Sequence, residues 1–208
     1  MYLVNIKIMK KKTYHHGNLE EALLKVGMKE AKASGSRNLG VTHLAKLVDV
    51  SPMAIYRHFP SGENLKAAIS QQAREELARR MASAVARETD LKRKFMATGR
   101  EYIRFGLDEP GLFAVAFLDC SELPNREDNP SARGILHDAI LDLCNEGLVE
   151  PKEVQAVAQF AWSIVHGFTM LAGSEDPYRP SAKPLDIEDL LERAWLGVTH
   201  YSKKSNRK

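Results

Sequence analysis

Only two cysteines, Cys120 and Cys144, occur in 208 residues. Two thiols make neither a disulfide framework nor a zinc site, and a reducing cytoplasm is the compartment that fits. Long apolar runs are also missing. No stretch approaches the ~20 residues a membrane span requires, so no membrane partner is expected. Met1 to Ile8 is apolar but short, and lysines follow it instead of preceding it, an order unlike a secretory signal. A start at Met9 would make that segment dispensable. Catalytic signatures are absent as well: no G-x-S-x-G, no H-E-x-x-H, no P-loop and no Gly-rich dinucleotide loop. A Cys144/His166 pair is imaginable, but nothing in the spacing requires it. The seven histidines show no ligand spacing, and the adjacent His15 and His16 cannot share a helix face. These gaps lead us to expect no enzyme, no metal and no cofactor. Period-two alternation, internal repeats and disordered linkers are lacking too, which leaves an all-α chain.

Strong net charge is another absence, at +3 overall, yet the charge is unevenly spread. Residues 1–66 hold eleven Lys/Arg against five Asp/Glu, net +6, so the remainder carries −3. A small basic module on a larger acidic body suits nucleic-acid binding joined to a sensor. Lys7, Lys10, Lys11 and Lys12 supply four of those eleven cations, so a solvated basic tail explains part of the asymmetry. With 44% hydrophobic residues and a mean hydropathy of −0.34, the chain can build a core and stay soluble.

What is present is helical periodicity. Val41, Leu44, Ala45 and Val48 fall at i, i+3, i+4 and i+7 on one apolar face. Asp49 follows where the chain must turn, a place that tolerates left-handed φ in Asp. Ser51 and Pro52 then read as the N-cap and first-turn proline of a second helix. Ile55 and Phe59, four apart, point inward, which turns Met53, Tyr56 and Arg57 outward. A phenol and a guanidinium on an outward face suit phosphates and base edges in a major groove. The pattern is that of a helix-turn-helix, with a plain αα-hairpin as the alternative.

The run Tyr14-His15-His16-Gly17-Asn18-Leu19, the turn Val50-Ser51-Pro52, the segment Ile55-Tyr56-Arg57-His58-Phe59-Pro60-Ser61 and the long helix after it resemble the N-terminal domain of the tetracycline-repressor (TetR/AcrR) family, over roughly residues 14 to 70. The resemblance implies a dimeric, all-helical, ligand-controlled transcriptional repressor. It makes Tyr56 the family's phosphate-contacting tyrosine. Three positions depart from the family pattern: Gly40 where Ser or Thr usually caps helix 2, Thr42 where Arg is common, and Gly62 where Lys is usual. Lys46 and Lys66 compensate only in part. Farther along, Arg104-Phe105, Pro110, Leu112-Phe113 and Ala161-Trp162-Ser163-Ile164-Val165-His166-Gly167 resemble a subgroup whose ligand domain carries a Trp…His-Gly signature.

The chain after residue 66 reads as further helices. Leu65, Ile69, Ala73 and Leu77 carry helix 4 from about Glu63 into the 80s. Others follow over Glu88 to about Leu107, Leu112 to Leu118, Ser131 to Asn145, Val154 to Leu171 and Ile187 to Tyr201, with loops at 121–130 and 174–184. The helix from Val154 is apolar on nearly every side and needs cover on more than one face. We therefore expect a basic tail over 1–13, a helix-turn-helix domain over 14–66, and an effector-binding and dimerisation domain over 67–208.

Candidate roles follow from position. Arg57 suits bidentate pairing with guanine or a phosphate contact. Met53 and Ala54 suit thymine methyls, and His58 a phosphate or its own helix end. Thr42, Lys46, Ser51, Pro52, Tyr56 and Lys66 complete the surface expected against double-stranded operator DNA. Lys10 to Lys12 suit a minor groove or stay disordered. Tyr102, Phe105, Phe113, Phe117, Trp162 and His166 suit either a pocket for a small apolar or aromatic effector, with His166 as polar handle, or a packed core. Phe160, Phe168, Leu191 and Trp195 are the expected homodimer interface. A helical protein-interaction adaptor is the alternative function, and an enzyme the third.

Overall fold

The computed structural model describes residues 19–118, 131–173 and 187–205, with side chains as far as residue 200. The basic tail, Tyr14 to Asn18, Cys120 and the loops expected at 121–130 and 174–184 lie outside the described residues. Among those described, the helices are α1 (Leu19–Ser34), α2 (Val41–Leu47), α3 (Pro52–Ile55), α4 (Gly62–Val85), α5 (Leu91–Asp108), α6 (Pro110–Ala116), α7 (Ala132–Asn145), α8 (Val154–Gly173) and α9 (Ile187–Ser205), with a 3-10 turn at Pro151–Glu153 and no strand.

Short polar side chains set several helix starts. Ser51, Ser61, Asp90 and Ser131 each accept a hydrogen bond from the backbone N–H three residues on, opening α3, α4, α5 and α7. Gly35 and Gly147, at φ 62° and 71°, follow the ends of α1 and α7. Several boundaries differ from the sequence reading. Helix α5 begins at Leu91, not Glu88, because Asp90 caps it. Helix α6 begins two residues earlier than Leu112, with Pro110 in its first turn, where a missing N–H costs nothing. Helix α3 stops at Ile55, and residues 56–58 form a turn.

One continuous buried cluster runs from Leu23, Leu44 and Ile55 at one end to Ile103, Phe105 and Ile140 in the body. Helix α4 spans both ends, and α5 packs against α4, α6, α7, α8 and α9. The approach of α6 to α1 is close. A Cβ on Gly111 would sit 2.3 Å from the Ala31 carbonyl oxygen and 2.8 Å from that of Lys32, so only glycine fits. Next to it the buried Glu109 carboxylate accepts from Lys32 of α1 and lies 3.6 Å from Arg80 of α4. Arg80 also sits over the Phe105 ring, 5.1 Å from its centroid.

Helix α8 has two apolar faces. Val157, Ala161 and Val165 are buried on one, while Phe160, Met170 and Leu171 are exposed on the other, as is Leu196 of α9. No helix among the described residues is long and apolar enough to cross a membrane.

Candidate nucleic-acid interface and effector site

The turn between α2 and α3 is built as its residue types dictate. Gly40 occupies the N-cap of α2 and offers no side-chain cap. Asp49 takes φ 55°, the left-handed conformation that suits Asp better than a branched residue. Ser51 Oγ accepts from the Ala54 N–H at 3.3 Å. Burial of Leu44, Ala45, Val48, Ile55 and Phe59 locks the pair and fixes what faces out. Met53 is 69% exposed and Tyr56 45%, and Thr42, Lys46, Ser51, Pro52, Arg57 and His58 are exposed with them, Ala54 less so. Because α3 ends at Ile55, Tyr56 and Arg57 project from the turn that follows it. Leu47, 48% exposed, was not anticipated on this surface.

Lys46 and Arg57 have no ion pair among the described residues. Lys66 does: its Nζ lies 2.8 Å from Glu63 Oε1. His43 meets Glu30, 3.0 Å from Nε2 to Oε2, and belongs to the α1–α2 contact. Gly62 starts α4 immediately after its cap, Ser61, and a Cβ there would meet only the Val41 side chain at 3.4 Å.

In the body, five of the six expected pocket residues meet. Tyr102 stands edge-on to Phe113, 5.6 Å between centroids, and to Trp162 at 4.9 Å. Phe117 and His166 close the group at 5.2 Å. Trp162 and His166 are stacked within 12° of parallel. The Tyr102 hydroxyl and His166 Nδ1 form a 2.7 Å hydrogen bond. Burial pushes the Tyr102 phenol above its ordinary range and keeps it neutral. The group is packed against itself. The cavity beside it, lined in part by Thr98, Tyr102 and Trp162, holds about 20 Å³, room for a single water. Phe105 is not part of this group: fully buried, it turns toward Arg80 on α4.

The residues expected between subunits also separate. Phe160 lies open on α8, beside Gly197 of α9. Phe168 and Trp195 are half-buried on the protomer's own core, with Trp195 5.9 Å from Phe95. Leu191 is 2% exposed and sits over Gly99 of α5. It has no surface left for a partner. Spacing along α9 showed the apolar stripe but not that α5 covers it. Met170 and Leu171 of α8 and Leu196 of α9 are exposed too, which the sequence reading did not single out because the same letters serve equally well in a core.

Residues 95–196 match the model of the tetracyclin repressor-like C-terminal domain. The match begins within α5 and ends within α9. A protein of unknown function from Rhodococcus sp. RHA1 superposes with a TM-score of 0.76 at 21% identity, covering 91% of this chain and 100% of that one. A TetR family transcription regulator from Marinobacter aquaeolei VT8 gives 0.63 at 20% identity, covering 86% and 94%. A regulatory protein of the TetR family from Rhodococcus RHA1 gives 0.57 at 19%, covering 88% and 96%. At such identities the likeness is one of fold, and the fold is that of TetR-family regulators. Among curated proteins no significant match is found.

Proposed function

We propose that this chain is a cytoplasmic, ligand-responsive transcriptional repressor of the TetR type, with no catalytic role, that binds operator DNA as a homodimer and leaves it when a small apolar or aromatic effector binds the body. The division into a tail (1–13), a DNA-binding domain (14–66) and an effector and dimerisation domain (67–208) is part of this reading. So is the Trp162…His166-Gly167 subgroup signature.

The observation that carries it is the outward face of the helix-turn-helix. Tyr56 and Arg57 stand exposed beside Met53, and the Lys46 and Arg57 cations are not spent on carboxylates. Phosphates fix register on a duplex and base edges give sequence, and this face offers groups for both. The apolar residues Phe160, Met170, Leu171 and Leu196 support pairing of two copies through α8 and α9. Two such heads must stand about 34–36 Å apart to enter successive major grooves. An effector that prefers another spacing would release the DNA.

Titration of the DNA upstream of the chain's own coding sequence, read by fluorescence anisotropy at several salt concentrations, tests this. Binding should weaken steeply with salt, at a slope of about −0.9 per phosphate neutralised. No binding at low salt would remove the regulator reading and leave the protein-interaction adaptor.

A further inference from the structure

We infer that the cleft between α7 and α8 binds an organic carboxylate carried on a flat, apolar body, and that this is the chemical class of the effector. The inference rests on the regulator reading above. The cleft measures about 390 Å³, within the range of small-molecule sites and nearly twenty times the inner cavity. Its walls are of two kinds. Arg133 and His137 of α7, with Gln155 and Gln159 of α8, supply polar groups; Trp162 and Leu136 supply apolar surface.

The charge is one-sided. Among the described residues no Asp or Glu lines the cleft and Arg133 has no ion pair. Its guanidinium instead sits over the Trp162 ring, 5.9 Å from the centroid. A guanidinium held beside an aromatic ring can still grip a planar anion with two parallel hydrogen bonds. His137 is turned partly toward Asp138, 4.0 Å away, so Arg133 is the principal anchor. The two carboxamides can donate or accept and suit further oxygens.

Trp162 gives the site its connection to the rest of the body. Together with Leu136 it lines both the cleft and the small inner cavity, and so links the two. On its inner side Trp162 touches Tyr102 and stacks on His166. A flat apolar group held in the cleft by its carboxylate would press on Trp162 and perturb the aromatic group that Trp162 touches.

The test uses the full-length chain in a Trp195→Phe background, so that Trp162 alone reports. The probes are benzoate, 4-phenylbutyrate and 2-naphthoate, each with its neutral carboxamide. At least one carboxylate should change Trp162 emission and bind about tenfold or more tightly than its amide, the worth of one charge-assisted contact. Arg133→Gln should abolish that preference, Arg133→Lys should keep part of it, and Arg87→Gln, an equal charge change on an exposed residue outside the cleft lining, should leave it intact. Calorimetric titration provides a second readout independent of fluorescence. Equal binding of acid and amide, a preference that survives Arg133→Gln, or no acid binding tighter than about 1 mM would overturn the assignment. The anisotropy titration is run in parallel. Uptake of the acid by a chain that binds no DNA keeps the site and removes the regulator reading. DNA binding without uptake does the reverse.

Discussion

At the residue scale, function and stability rest on different side chains. Arg57 is exposed and has no ion pair among the described residues, so Arg57→Ala should leave the fold intact. If it reads a base it should cost ~1–3 kcal/mol on the specific site and little on random DNA. Equal losses on both sequences in a competition titration would assign it to a phosphate. Tyr56→Phe should weaken both alike by ~1 kcal/mol. His166 is the opposite case. Truncating it leaves the buried Tyr102 hydroxyl without the hydrogen bond it now makes. We expect His166→Ala to lower unfolding free energy in urea by ~1–3 kcal/mol, with DNA affinity little changed. An unchanged midpoint would show that water enters the aromatic group readily. From sequence, His166 was balanced between pocket handle and core residue. Spacing brought it beside Trp162, but only the fold put a phenol 2.7 Å away.

At the scale of elements, two junctions can be probed. Gly62 begins α4 beside the helix-turn-helix, and a side chain there would meet only Val41 at ordinary contact distance. Gly62→Lys should therefore be tolerated, tighten DNA binding and steepen its salt dependence by about one unit. An unaltered slope would place the start of α4 away from the DNA backbone. The second junction ties α5 to α9, where Arg100 donates twice to the Glu188 carboxylate. Those hydrogen bonds hold the Glu188 carboxyl below its ordinary value of 4.5. A depressed folded-state value means stabilisation that is complete above the unfolded pKa and lost as pH falls through the folded one. Glu188→Gln should thus lower the unfolding free energy slightly at neutral pH, by less than ~1 kcal/mol because the pair is solvated, and the gap should close as pH falls below 4.5 through the depressed folded-state value. A gap that persists in acid would mean the carboxylate's charge is not what α9 loses.

At the scale of the whole molecule, apolar side chains stand exposed on the outer sides of α8 and α9. Leu196 is half exposed on α9, and Phe160, Met170 and Leu171 are exposed on α8. Leu196→Glu should fold as a protomer and, if that face joins two copies, appear as a monomer in light scattering at micromolar concentration. A wild-type monomer under the same conditions would remove the dimer and the two-groove mechanism with it. Leu191→Glu is a poor probe of the same question, because that side chain is buried over Gly99 and the variant would unfold the protomer.

What the sequence determined by itself was local. Helical periodicity, the Asp49 turn, the Ser51-Pro52 start and the outward Tyr56-Arg57 pair depend on neighbours within a few positions, and local sterics and hydrogen bonding decide them. The tertiary structure alone decided which apolar stripe meets which. Phe105, Phe113 and Phe117 look alike in the chain, yet Phe105 turns to Arg80 while the other two join Tyr102. Leu191 and Leu196 stand on one helix, and the packing of α5 buries the first and leaves the second open. The hydrophobic effect has no direction, so apolar spacing predicts that a face will be covered without naming the cover. The Arg133–Trp162 cleft was invisible for the same reason: its residues are distant in sequence, and α7 and α8 bring them together only after folding.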